Sequence, residues 1–382
     1  MSDKKTNLYP AVILGLLSAL VFVSGLLVMN KAEHSELGNG HSEKTINSGA
    51  EDQVTYEWSL VTTWPKNFPG LGSAAENFAR YVKEMSNGRL QVKVHGANEL
   101  VPALGVFDAV SSGSVQAGHG AAYYWKGKIP ASPFFTSVPF GLNAQEMNGW
   151  LHYGGGLELW REIYEPFNLR PYAGGNTGVQ MAGWFNREIN SIEDLKGLKM
   201  RIPGLGGEVF TRAGGTAVNI PGGELYTAMQ TGVIDATEWV GPYNDLAFGF
   251  QQVAKYYYYP GWHEPGPTLE FIINIDAYKA LPKDLQAIVE IAVKAANQDM
   301  LDEYTGRNNS ALIELVNTHG VQVRKLPDDV LATLKKYSEE IYQETAANDA
   351  TFAKVYAAYK AFGEQAADYH KISEQAYYDT RE

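Results

Sequence analysis

The sequence predicts an α/β fold of two lobes with long helices at its C-terminal end, and three observations carry that expectation. Between residues 53 and 122, apolar alternation and helical spacing take turns as strand, helix, strand, helix, strand. A second β-α-β set of the same kind recurs between residues 198 and 239. From residue 282 onward the spacing is almost wholly helical.

A chain of 382 residues, 45% hydrophobic and 19% charged, has room for two such lobes and a sizeable core. The net charge of −12 argues against nucleic acid and anionic membrane surfaces as partners. An anionic ligand would need a local cationic group to hold it. Cysteine is absent, which excludes disulfides, thiolate metal sites and cysteine nucleophiles. Tyrosine and tryptophan are abundant, as suits a pocket for a small organic solute.

The N-terminal segment carries an address. Lys4 and Lys5 precede an uncharged apolar run over residues 11–29. That run is longer than the ~7–15 residues of a signal-peptide core and close to the ~20 that span a bilayer. Residues 1–29 therefore read as a long signal or an uncleaved anchor, with the rest of the chain exported to the periplasm. Residues 30–52, rich in Gly, Ser, Asn and Glu, read as a flexible spacer.

The folded part opens with a strand at 56–61, a loop over 62–70 and a helix over 73–85 with Ala74, Phe78, Val82 and Met85 on one face. Strands follow at 90–94 and 115–122, with a short helix at 106–110 between them. Tyr123, Tyr124 and Trp125 stand at the carboxyl end of the third strand, as pocket wall or as packing between lobes. The proline-punctuated stretch 130–141 marks a change of lobe or a hinge, and 144–164 is helical. Residues 169–185 carry a long strand signal broken at Gly174-Gly175-Asn176. Such a strand would cross between lobes and take Asn176 and Gln180 past the cleft.

The second set begins with a helical turn at 192–197 and a strand over 198–204 that ends in Pro-Gly. Arg201 is the only charge near that strand's exit, and its planar fork matches a carboxylate; pairing with a nearby acid on the surface is the plainer alternative. A helix at 206–215, a strand at 218–221 and a helix at 224–230 lead to Gly232 and a short strand at 233–236. Glu238 and Trp239 fall beyond that strand's carboxyl end, where open α/β sheets bind ligands. A Glu beside a Trp also fits a solvated carboxylate against a core indole. The turn 261–266 repeats the arrangement of an aromatic and a carboxylate, with Glu264, after a strand at 255–260. A strand at 269–274, helices at 282–304 and 312–317, a last strand at 321–324 and helical spacing over 327–369 complete the chain.

The segments RIPG at 201–204, QTGVIDATEW at 230–239 and LEFIIN at 269–274 followed by YKALP resemble the solute-binding proteins of tripartite ATP-independent periplasmic (TRAP) transporters, the DctP family. The Glu-Trp pair is similar to the mark of that family's branch for 2-oxo acids and lactate. The resemblance implies a periplasmic-binding-protein fold whose two lobes close an interlobe cleft on a small organic acid, and a membrane permease that receives it. It makes lobe 1 residues 53–178 with 255–326, lobe 2 residues 179–254, and residues 327–382 C-terminal helices that build a homodimer.

The same resemblance makes Arg201 the carboxylate clamp and implies a bridging metal ion, Na⁺ or Ca²⁺, held by Gln180, Glu238 and a Trp239 oxygen. All-oxygen ligation fits those ions and disfavours zinc or copper. Tyr123, Tyr124, Asn176 and Glu264 would line the site, Gln180 and Trp239 would touch the acid as well, and no residue would be catalytic. The rival readings are an extracytoplasmic hydrolase or lyase using Glu238 and Glu264 as acid and base, and a sensory ligand-binding domain. Neither a G-x-S-x-G elbow nor an H-E-x-x-H pattern stands in the sequence.

Overall fold

A computed structural model describes residues 54–381; the apolar run 11–29 and the spacer 30–52 lie outside the described residues. Among the described residues, no helix is long and apolar enough to cross a membrane.

In chain order the strands are β1 (Tyr56–Thr62), β2 (Leu90–His95), β3 (Ala117–Gly120), β4 (Leu169–Asn176), β5 (Gly183–Phe185), β6 (Lys199–Arg201), β7 (Thr216–Val218), β8 (Ala236–Thr237), β9 (Tyr256–Tyr259), β10 (Thr268–Asn274) and β11 (Gln322–Lys325). They form two sheets, ordered β2-β1-β3-β10-β4 and β11-β9-β5-β8-β6-β7. β1 runs parallel to β2 and β3, while β10 inserts antiparallel between β3 and β4. In the second sheet β6 runs parallel to β7 and β8, and β5 pairs antiparallel with β8 and β9. Parallel strands joined through helices bring β3, β6 and β8 to one end with their carboxyl termini free, and the loops after them can meet.

The chain passes between sheets at 176–183, as the Gly-Gly-Asn break predicts: β4 ends the first sheet at Asn176 and β5 opens the second. The 130–141 stretch makes no such change. It packs into the first lobe, where Phe135 stacks between Trp150 at 5.4 Å and Trp160 at 5.2 Å. Prolines mark irregular backbone, but whether that backbone is a hinge or core depends on the aromatic partners it finds. The 144–164 helix is two, Ala144–Tyr153 and Gly156–Tyr164, because Gly155 takes a φ of 82° between them.

The assignment of 255–326 to lobe 1 needs correction. β10 belongs to the first sheet, but β9 and β11 pair in the second. Tyr257 of β9 stacks on Trp184 of β5 at 4.1 Å, a cross-strand contact that favours this sheet and that the run of tyrosines alone does not announce. The helices expected at 282–304 and 312–317 are one, Lys283–Asn317. It serves both lobes: Asn297 accepts from Gly175 N at 3.0 Å, and Tyr304 donates to Asn244 at 2.6 Å.

C-terminal helices Asp328–Asn348 and Ala350–Ile372 break at Asp349, whose side chain caps the second by accepting from Phe352 N at 2.7 Å. Leu334, Ile341, Phe352 and Val355 bury against the body. Met85 departs from the expected face of its helix and is exposed.

In the first lobe Phe271 of β10 lies 4.7 Å from the Phe78 ring and 4.4 Å from the His119 ring, with both phenylalanines fully buried. Replacing Phe271 with Ala should cost about 3–5 kcal/mol, the usual range for an aromatic deleted from a core. Urea unfolding followed by circular dichroism measures it, and a cost below about 1 kcal/mol would mean this contact is not central to the lobe.

Candidate functional site

β6 ends at Arg201 and β8 at Thr237, and their pairing carries Arg201 and Glu238 into side-by-side positions: Glu238 N donates to Arg201 O at 3.2 Å. The two side chains form an ion pair at 1% and 0% exposure. Every arm of the guanidinium is engaged. Nη1 donates to a Glu238 carboxylate oxygen and to its main-chain carbonyl, Nη2 to the Tyr124 hydroxyl at 3.1 Å, and Nε to Ile220 O at 3.2 Å. Its Cζ lies 5.3 Å over the Trp239 ring.

Around this pair the structure gathers the other expected residues. Gln180 sits on the crossing between sheets, where its N–H donates to Glu264 O at 3.1 Å. That close approach depends on Gly261, since a Cβ there would stand 2.2 Å from Gln180 O. Its Nε2 donates to Thr177, and its Oε1 is buried with no partner. One carboxylate oxygen each of Glu238 and Glu264 is equally buried and unpaired. Trp239 packs its ring on Gly222, where a Cβ would lie 2.1 Å from Cη2. Tyr123 and Tyr124 form a one-turn helix, Ala122–Trp125, beyond β3.

Asn176 departs from its expected place in the lining. Its amide donates to Gly266 O and Thr268 Oγ1, both at 3.0 Å, and its oxygen accepts from Gly178 N at 2.8 Å. With all three contacts made to backbone and neighbour, it fastens the crossing instead.

Burial dominates the electrostatics. It raises Glu264 well above the usual carboxylate range, and the charge on Glu238 pushes the same way. It also raises Tyr123 and Tyr124, with Arg201 partly opposing, so both phenols stay neutral donors. Three unpaired acceptor oxygens in one buried cluster would carry a large desolvation cost. A cation can satisfy several such acceptors at once, and these oxygen donors fit Na⁺ or Ca²⁺.

Several contributors were not singled out from sequence. His263, 2% exposed, sets Nε2 3.5 Å from Glu238 Oε2 and precedes Glu264 in the same turn, which was the available signal. Trp64 meets Trp239 edge-on at 5.9 Å and donates Nε1 to His119 at 3.0 Å. Burial lowers His119 to about 4, so the imidazole is neutral and accepts that bond. The spacing of loop 62–70 gives no hint of this contact.

Two further carboxylates steady the site from behind. Asp245 accepts from Trp184 Nε1 at 3.0 Å, Tyr257 Oη at 2.6 Å, and Val240 and Gly241 N at 3.2 Å, pinning the backbone just past Trp239. In the first lobe Glu270 accepts from Trp125 Nε1 and from Tyr164 Oη at 3.0 Å, fixing the turn that carries Tyr123 and Tyr124. Tyr123 and Tyr124 also line a cavity of about 670 Å³, together with Pro203, Gly204 and the ion pair Lys126–Glu208.

Residues 60–349 match the model of bacterial extracellular solute-binding proteins, family 7, also called DctP. The chain belongs to this family. As a TRAP solute-binding protein it works outside the cytoplasm. It is 47% identical to the monocarboxylate 2-oxoacid-binding periplasmic protein of Nostoc sp. over 320 residues, 84% of this chain and 87% of that protein. Two solved TRAP periplasmic solute-binding proteins are similar throughout, each with a TM-score of 0.83 and 47% identity over 85% of this chain and 99% of theirs. The one from Colwellia psychrerythraea holds calcium and pyruvate, the one from Pseudoalteromonas atlantica sodium and pyruvate.

Burial raises Asp245 and Glu270 to about 7, from ordinary values of 3.8 and 4.5. Folding therefore takes up protons between about pH 4 and 7, and the stability these groups contribute is full below that window and lost as pH rises through it. Asp245→Asn should flatten the fall in stability across that window relative to wild type. Parallel denaturation profiles for the two proteins would refute this account of Asp245.

Proposed function

We propose that this protein captures a small 2-oxo or 2-hydroxy monocarboxylate, of the pyruvate or lactate type, and delivers it to the permease of a TRAP transporter. The observation that carries the reading is the buried Arg201–Glu238 pair with one bare Glu238 oxygen, together with unpaired buried oxygens on Gln180 and Glu264, which are themselves joined by Gln180 N to Glu264 O. Gln180 Oε1, the free Glu238 oxygen and the Trp239 carbonyl would hold a bridging Na⁺ or Ca²⁺, which supplies positive charge between the two carboxylates. The relatives that hold pyruvate beside calcium or sodium support the choice of ligand and ion.

In this reading Arg201 receives the acid's carboxylate. Its donors already serve Glu238 and Tyr124, so the acid competes with both, and an ion that engages Glu238 eases the exchange. Tyr123 and Tyr124, as neutral phenols, donate without adding negative charge. Glu264 would accept a hydrogen bond from a 2-hydroxyl, directly or through water. Trp239, Trp64 and Phe68 close an apolar wall that fits a short side chain and excludes water. We read the protein as a binder and not a catalyst, because its family and its relatives that hold pyruvate are solute-binding proteins.

After dialysis against chelator into a sodium-free buffer, pyruvate should raise the melting temperature only when Na⁺ or Ca²⁺ is restored. At a hundredfold excess over Kd the gain is about 2.7 kcal/mol. Arg201→Ala should remove most of it. Thermal scans across 2-oxo and 2-hydroxy acids that show no cation-dependent shift would sink the reading, as would consumption of the acid.

The same reading includes a helix-exchanged homodimer and tethering by residues 1–29. Tyr369, Ile372, Tyr377 and Tyr378 are each at least 60% exposed near the chain's C-terminal end, an apolar patch that a second copy would cover. Light scattering at micromolar concentration should give the dimer mass, and Ile372→Asp should lower it to the monomer. A monomeric wild type rejects the dimer.

A further inference from the structure

The site residues are sealed from water: Gln180, Arg201, Glu238 and Glu264 are each no more than 5% exposed. An acid can reach or leave them only if the segments around them part, so a contact that joins those segments sets how long the acid stays. Two such segments come from different lobes. The turn Ala122–Trp125, continued by Lys126, follows β3 of the first sheet, and residues 201–212 run from the end of β6 in the second sheet through helix Gly204–Arg212. They touch at three places. Arg201 donates to the Tyr124 hydroxyl at 3.1 Å. Gly204, at a φ of 64°, lets the start of the helix approach Tyr123, whose Cβ would lie 3.3 Å from a Cβ on the glycine. Lys126 Nζ donates to a Glu208 carboxylate oxygen.

The first two contacts involve residues placed against the acid. The third does not: Lys126 and Glu208 line the 670 Å³ cavity with their side chains 33% and 44% exposed. Both ends of this pair are nonetheless tied to the site. Lys126 N donates to Tyr123 O at 3.3 Å, and the neighbouring Trp125 is fixed by Glu270. Glu208 stands on the helix that begins three residues after Arg201. Arg212, one turn further on, donates to Glu344 at 2.9 Å and so leaves Glu208 to Lys126. Parting Lys126 from Glu208 therefore also draws Tyr124 away from Arg201.

We propose that the Lys126–Glu208 ion pair is a latch between the lobes that sets the residence time of the bound acid. The proposal rests on reading the buried cluster as the acid's site and names the contact that holds that site shut. An exposed ion pair is worth about a two- to fivefold change in an equilibrium, which adds little to folding but is enough to slow release by the same factor. The sign of the effect separates a latch from a plain electrostatic influence on the acid. If Lys126 only attracted the anion and Glu208 only repelled it, removing the first would speed release and removing the second would slow it. A latch makes both removals speed it.

The test uses the full-length protein loaded with Ca²⁺ and pyruvate, mixed in a stopped-flow device with excess lactate dehydrogenase and NADH, so that released pyruvate is read as lost NADH absorbance. Lys126→Ala and Glu208→Ala should each speed release about two- to fivefold, and the double variant should be no faster than either. The charge swap, Lys126→Glu with Glu208→Lys, should return the rate towards wild type. Release unchanged in either single variant, slower release from Glu208→Ala, or single effects that multiply in the double variant would each overturn the latch and leave the proposed function standing. A wild type that takes up no pyruvate overturns both.

Discussion

The buried ion pair between Arg201 and Glu238 is the constraint on which the rest of the site depends. Two charges at near-zero exposure are costly to bring out of water, and the cost is met only if each finds every partner it needs. Arg201 does so through Tyr124, Ile220 O and both ends of Glu238. Glu238 does not, because one oxygen stays unpaired. That imbalance, together with the bare oxygens of Gln180 and Glu264, is what makes the cluster receptive to a cation.

Geometry at this centre is held from behind in each lobe by the same device. A buried carboxylate accepts from one tryptophan and one tyrosine: Asp245 from Trp184 and Tyr257, Glu270 from Trp125 and Tyr164. Asp245 also grips the backbone after Trp239, and Glu270 grips the residue after Tyr124. Hydrogen bonds of this kind in a low-dielectric interior are directional and strong enough to fix a rotamer. The groups that would touch ligand are thus carried on short, irregular segments whose positions are set by regular ones.

Much of this was legible in the chain. The two β-α-β sets, the crossing near Gln180, and Glu238 and Trp239 at a strand's end follow from periodicity and from glycine placement. The partners of isolated strands were not legible. Tyr256–Tyr259 carries the same alternation whichever sheet it joins, and only the stacking of Tyr257 on Trp184 places it in the second. Asn176 reads as a site residue by position, yet its amide is spent on Gly266, Thr268 and Gly178. His263 gave no periodic signal, because a turn residue's neighbours are decided by how the two lobes meet.

By itself the sequence determined most of the alternation of strands and helices, and that a lone arginine and a Glu-Trp pair stand at strand ends. Those features come from local backbone preference and from the alternation of apolar side chains, which act over a few residues. Only the tertiary structure decided that Arg201, Gln180, Glu238, His263 and Glu264 share one buried volume. Their meeting joins strands of the second sheet to a crossing segment and a turn from distant parts of the chain. The charge balance that makes the place a site exists only once packing has removed the water between them.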